Sequence, residues 1–181
     1  MTVEELIQAL RDLLQEHDPE GRFSNEELTR YIEAAGRRVA TDLKLLVDEA
    51  EVTVPAGKRL VGLPPDYVAF DDWLEPPPVP VDIRGGKILL QSKPSEDITL
   101  SFTYFRLPHD VSEIPDRCMD GVLFAAHFLA LTSETAAPES VTVGERKDAE
   151  ARYERWLAYA LRQEPSAAYR WPTSIKMWRR R

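Results

Sequence analysis

Asp97-Ile98-Thr99-Leu100-Ser101-Phe102-Thr103-Tyr104 alternates polar and apolar side chains without a fault. A period of two predicts a half-buried strand with Ile98, Leu100, Phe102 and Tyr104 on its inner face. Working upstream, Arg84-Gly85-Gly86-Lys87 is a two-residue hairpin signal. Pairing outward from the two glycines sets Ile83 opposite Ile88 and Val81 opposite Leu90, so all four apolar side chains share one face and the register is self-consistent. Before the hairpin, Val52 and Val54, then Leu60 and Val61, then Leu63-Pro64-Pro65-Asp66-Tyr67 read as extended pieces broken by turns. Pro76-Pro77-Pro78-Val79-Pro80 reads as a rigid, polyproline-like connection in preference to a ligand for an aromatic groove. A small antiparallel sheet of three or more strands is expected within about 51–106.

Both flanks are helical. Thr2 with Glu5 forms a capping box, and Val3, Leu6, Ile7, Leu10, Leu13 and Leu14 recur at helical spacing, predicting a helix over about 3–16. Phe23 precedes the cap Ser24, Glu27 completes a second box, and Leu28 stands where a hydrophobic staple to Phe23 closes. The stripe Leu28, Tyr31, Ile32, Ala35, Val39, Leu43, Leu46, Val47 then extends this helix over about 25–48. Downstream of Ile114-Pro115, the almost uncharged run Met119 to Leu131 predicts a central helix over about 117–132. A fourth, over about 143–162, is capped by Thr142 with Glu145 and turns Ala149, Tyr153, Trp156, Leu157 and Ala160 to one side. The predicted fold is α+β, mainly α. It is an antiparallel bundle of about four helices with a small antiparallel sheet inserted between helices 2 and 3, forming one domain over 1–164 with an extended tail over 165–181.

At 181 residues one well-buried core plus a tail is the expectation, and no window approaches the roughly 18 apolar residues of a membrane span. Met1-Thr-Val-Glu-Glu5 does not read as a signal peptide. Cys118 stands alone, which excludes an intramolecular disulfide or multi-cysteine metal site and suits a packed core thiol.

The tail differs from everything before it. Residues 165–181 hold five basic side chains and no acid, whereas the remainder carries 18 basic and 31 acidic residues. Tryptophan, methionine and arginine are enriched at the centres of protein interfaces, and two of the chain's four tryptophans lie here. Docking on a separate molecule is the favoured reading over a tail folded back on its own domain or a frayed, solubilising end, and Trp171, Ile175, Met177 and Trp178 are then the expected anchors of a segment that also includes Tyr169, Arg170 and Lys176. Arg179, Arg180 and Arg181 steer the approach or meet an acidic rim. Burying two indoles removes roughly 400 Å² from water, a gain of about 10 kcal/mol. Ordering a dozen residues costs about 12 kcal/mol or more. A single tail therefore holds weakly, and several presented together gain from effective concentration.

Chemical sites are poorly signalled. Asp71-Asp72, His17-Asp18 and His109-Asp110 are the best pairs for a metal or for acid–base work. Adjacent residues of a strand point to opposite faces, and His-Asp in a loop is ordinary turn chemistry. The eight glycines form no phosphate-binding loop. No catalytic, metal or cofactor site is expected. As a DNA-binding module the chain is disfavoured by its acidic body, since phosphate affinity needs clustered Lys and Arg; only the terminal arginines suit that role.

The order of two helices, a β insertion, two helices and a basic aromatic tail resembles the head-to-tail adaptor (connector, or head-completion) proteins of tailed bacteriophages. The resemblance is carried by Phe23-Ser-Asn-Glu-Glu-Leu-Thr-Arg-Tyr-Ile-Glu-Ala-Ala-Gly-Arg-Arg38, by Leu63-Pro-Pro-Asp-Tyr67, and by Ile98-Thr-Leu-Ser-Phe-Thr-Tyr-Phe-Arg-Leu-Pro108 followed by Ile114-Pro115 and the alanine-rich helix. It implies a structural virion protein assembled in the host cytoplasm, a ring of itself (dodecameric in that family) between portal and tail. Such a ring continues the DNA channel, touches DNA only as the transiting genome, binds a downstream tail or stopper protein, and does not engage a membrane. By position, the C-terminal segment that clasps the portal in that family maps onto 165–181. A stopper or tail-completion protein one layer lower is the alternative, and a nucleic-acid-binding module using the basic tail is a further one.

Overall fold

A computed structural model describes residues 1–16, 21–133 and 143–163. The chain divides into two compact units, one helical (Met1–Leu45 with the segment from Pro108 onward) and one of β structure (Leu46–Leu107).

In the helical unit α1 runs Val3–Leu14, α2 Asn25–Leu43, α3 Met119–Thr132 and α4 Val143–Gln163. Both predicted capping boxes are formed: the Thr2 and Ser24 hydroxyls accept from the N–H of Glu5 and Glu27, whose carboxylates accept from the cap N–H in return. Each helix ends on a residue in the left-handed region, Gln15 at φ 57° and Lys44 at φ 51°. These end α1 and α2 short of the expected 16 and 48. Leu46 and Val47 continue the helical spacing, but the Lys44 N–H turns back to the carbonyls of Ala40 and Thr41 and the next residues enter a strand. Pairing with a long partner strand outweighs the local helical stripe there.

The core is built from Leu6 and Leu10 of α1, Leu28, Ile32, Ala35 and Val39 of α2, and Val122, Ala125, Ala126 and Ala130 of α3, all fully buried. As its uniformly apolar composition predicts, α3 has buried residues around most of its circumference. It is preceded by two 3₁₀ turns, Val111–Glu113 and Asp116–Cys118. Only Ala149 and Tyr153 of α4 are buried, with Trp156, Leu157 and Ala160 packed beside them. At Gly121 of α3 the Trp156 indole lies against the Cα, and a Cβ there would meet ring atoms at 2.1 to 2.4 Å. That close approach requires glycine. The expected Thr142 cap lies outside the described residues.

The β unit contains six strands in two antiparallel three-stranded sheets, not the single small sheet expected. Strands β1 (Val47–Val54), β6 (Ile98–Arg106) and β3 (Tyr67–Trp73) form the first in the order β1-β6-β3. Strands β2 (Leu60–Gly62), β5 (Lys87–Leu90) and β4 (Val81–Arg84) form the second in the order β2-β5-β4. The sheets are two because the β4-β5 hairpin pairs with β2 and not with β6. The hairpin register is the predicted one, Ile83 against Ile88 and Val81 against Leu90. Gly85 and Gly86 both take positive φ, as a tight hairpin turn of this hand demands. Strand β1 begins at Val47 and not near 51, because β6 offers a partner to each of its eight residues, from Val47 opposite Phe105 to Val54 opposite Ile98. Strand β3 escapes the sequence pattern because two register shifts, between Tyr67 and Ala69 and between Phe70 and Asp72, scramble its alternation. Inward-facing Val54, Leu100, Phe102 and Tyr104 of the first sheet share one core with Ile88 and Leu90 of the second.

Candidate functional site

Asp71 and Asp72 stand at the second register shift of β3, where simple alternation lapses, and both border Thr103. Asp71 is buried and accepts from the Thr103 hydroxyl at 3.1 Å, while Asp72 is exposed and its carboxylate accepts the Trp73 N–H at 2.8 Å. Asp110 caps the first 3₁₀ turn by accepting the Ser112 N–H at 2.8 Å, and the Ser112 hydroxyl also donates to it. Those two bonds, the hydroxyl's first, hold the Asp110 carboxyl below its ordinary pKa. The neighbouring His109 N–H donates to Glu113 at 3.1 Å. His17-Asp18 lies outside the described residues. Among the described residues, no three His, Cys, Asp or Glu side chains converge as a metal site. Cys118 is buried in the helical core. The proline segment is tied down, with Val79 against the β core and the Pro80 carbonyl accepting the Gln91 N–H at 3.1 Å.

Sequence reasoning passed over His127. It sits in the apolar run of α3, on the wall of a cavity of about 530 Å³ that is also lined by Gln15, Arg22, Glu145, Asp148 and Arg152. Among the described residues its Nδ1 has no hydrogen-bond partner. Burial, and then the Arg152 guanidinium, push the imidazole below its usual pKa against a smaller opposing pull from Glu145, so the ring is held neutral. The charged walls carry two guanidinium groups and two carboxylates, so they largely compensate one another. The one sequence signal was a histidine inside a helix whose other charge is Asp120, and that pattern is shared by ordinary core histidines.

The strongest polar constellations join helices. Arg11, buried, donates to the Phe23 carbonyl at 3.1 Å and to the Asn25 side chain at 2.8 Å, and lies 3.7 Å from the buried Glu16, which also pairs with Arg22 at 3.0 Å. One guanidinium thereby fastens the end of α1 to the start of α2. The Tyr153 hydroxyl of α4 donates to Asp42 of α2 at 2.7 Å, and Arg38 lies over the Tyr153 ring at 4.5 Å and within 3.7 Å of Asp42. Burial, then the bond to Asp42, raise the Tyr153 phenol well above its ordinary pKa. In the β unit Tyr104 donates to Asp66 at 3.1 Å, and burial followed by that bond push it up to about 12. These contacts join one element to the next, and Arg22 among them also lines the cavity beside His127.

The proposed anchors Tyr169, Arg170, Trp171, Ile175, Lys176, Met177, Trp178, Arg179, Arg180 and Arg181 all lie outside the described residues. Identity is carried instead by the stretch from α1 through β3, a capped helical pair leading directly into the first strands. Residues 1–74 match the family model described as SU10 adaptor protein. The match supports a family of phage head-to-tail adaptors, the family that the sequence pattern resembles. It covers both capping boxes, the whole of α2 and the Leu63-Pro-Pro-Asp-Tyr67 turn, and ends one residue beyond β3. An adaptor of this family has a structural role in the phage, is a component of the virion, and interacts with other head and tail proteins. A comparison with curated proteins finds no match. Among the described residues, no helix is long and apolar enough to cross a membrane.

Proposed function

We propose that the chain forms a ring, dodecameric as the resemblance implies, between the portal and the tail, continues the DNA channel, and docks to the portal through residues 165–181. The observation that carries this reading is the family match over residues 1–74, with the helix, β insertion, helix order continuing beyond it. The tail supports the docking role because its five basic residues, unrelieved by any acid, and two tryptophans suit a protein interface. The acidic remainder suits a channel that lets DNA pass, since a wall of low positive charge gives phosphates little purchase. A structural ring needs no catalytic centre, and no enzymatic role is proposed.

Truncation after Glu164 tests the reading. The shortened chain should keep the circular dichroism of the full chain and lose co-sedimentation with portal particles. Portal attachment at the full-length level would refute the tail assignment. Replacing Trp171 and Trp178 with alanine should weaken attachment at both low and high salt, whereas replacing Arg179 to Arg181 should matter chiefly at low salt.

A further inference from the structure

The two sheets of the β unit turn their apolar faces to a shared core, so their other faces look away from it. On the outer face of the β1-β6-β3 sheet, register places Glu49 and Asp72 on either side of Thr103, Glu51 beside Ser101, and Thr53 beside Thr99. Glu49, Glu51, Thr53, Thr99 and Asp72 are exposed, and no lysine or arginine occupies these positions. On the outer face of the β2-β5-β4 sheet, Lys87 stands between Gly62 and Arg84, and Leu89 between Leu60 and Asp82. Arg84 pairs with Asp82 at 2.7 Å yet keeps 81% of its side chain exposed. Leu60 is 49% exposed on this face. One face is acidic and hydroxylated, with Val47 and Phe105 at one end; the other carries Lys87 and the Arg84–Asp82 pair around Leu60 and Leu89, a net positive charge.

The free edges of the first sheet are blunted. The Asp48 carboxylate accepts the Glu49 N–H at 2.8 Å on β1, and Asp72 does the same for Trp73 on β3. Intercepted N–H groups and acidic side chains disfavour strand addition, which leaves the faces as the surfaces to be used.

Resting on the ring reading above, we infer that the basic, leucine-bearing face of one copy packs on the acidic face of a second copy of this chain. The contact joins unlike faces, and such heterologous contacts generate rings when their rotation closes. Leu60 and Leu89 supply an apolar centre, while Lys87 and Arg84 meet Glu49, Glu51 and Asp72 around it, the usual arrangement of an interface.

Two full-length variants test the contact. In R84E/K87E both faces become acidic, and in E49K/E51K both become basic. All four side chains are on outer strand faces, so circular dichroism and thermal unfolding should match the parent. By sedimentation velocity, each variant alone should self-associate at least about tenfold more weakly than the parent, and a 1:1 mixture should regain association because unlike faces meet again. Failure of the mixture to associate, or undiminished association of either variant alone, overturns the contact. So does duplex DNA binding that R84E/K87E loses while its self-association is unchanged, since the face would then serve nucleic acid. Portal attachment is read separately on the same proteins. A mixture that associates without binding portal would sink the ring placement and leave the face contact standing.

Discussion

Substituting Gly121 with alanine adds one methyl group to the surface of α3 where α4 crosses it. Built on the present backbone, that carbon would lie 2.1 Å from the nearest atom of the Trp156 ring, well inside van der Waals contact. Two effects then oppose each other. Alanine in place of glycine within a helix stabilises by about 1 kcal/mol, whereas forcing an extra carbon into a packed contact costs about 1 to 3 kcal/mol. The overlap exceeds 1 Å, so the indole must swing away, giving up its stacking on Tyr153 at 6.0 Å. With only Ala149 and Tyr153 of α4 buried, little else resists the undocking. The upper part of the packing cost therefore applies, and the net loss should be about 1 to 2 kcal/mol. Urea unfolding followed by far-ultraviolet circular dichroism measures it, and amide exchange should quicken in α4 first. In a Trp156→Ala background the obstacle is gone, and the same substitution should stabilise by up to about 1 kcal/mol. If Gly121→Ala has the same sign and size in both backgrounds, the indole is not what demands glycine.

Lys44 holds a left-handed conformation at φ 51° to close α2, so Lys44→Gly should raise stability by about 0.5 to 1 kcal/mol in the same urea assay, although glycine ordinarily weakens a helix. Arg11→Met should cost about 2 to 3 kcal/mol by thermal or urea unfolding, because it orphans the Phe23 carbonyl and removes one of the two guanidinium groups beside buried Glu16. The Tyr104 phenol is pushed up to about 12 from an ordinary 10, so the folded chain holds a proton that the unfolded chain releases first. Its contribution is complete below pH 10 and is lost as pH rises through 12. Unfolding followed across that window should show stability falling, and Tyr104→Phe should lessen the slope.

The parts of the fold that were legible have local causes. The capping boxes at Thr2 and Ser24 and the hairpin at Gly85-Gly86 are short-range chemistry, and their predicted partners are the observed ones. The alternation of β6 was readable because each inward residue faces an apolar core. What was not legible depends on distant partners. The last turn expected for α2 is claimed by β6 nearly sixty residues away, since Val47 pairs with Phe105. Strand β3 was hidden by its bulges, and Gly121 looked like any helical glycine until Trp156 of α4 lay against it. The candidate site divides in the same way. The tail announces itself by composition, which needs no geometry, whereas the opposed faces of the β unit exist only once register assigns Glu49, Asp72, Lys87 and Arg84 to their sides.

How a helical core tolerates an insertion of this size follows from where the β unit begins and ends. Its first and last strands are partners, and the Arg106 N–H donates to the Leu46 carbonyl at 3.0 Å. Directly paired strand residues have Cα atoms only about 5 Å apart. The segment 46–107 therefore leaves and returns at one point, and for the ends of the helical unit it is topologically a short turn between α2 and the first 3₁₀ segment. The cost of closing that turn is carried by eight β1–β6 residue pairs and by a core that the helices do not supply. On the outer strand faces Glu49, Glu51, Asp72, Arg84 and Lys87 are exposed. Charge can be redistributed among Glu49, Glu51, Asp72, Arg84 and Lys87 with little consequence for folding, which is the condition for such surfaces to be set by a neighbouring protein instead.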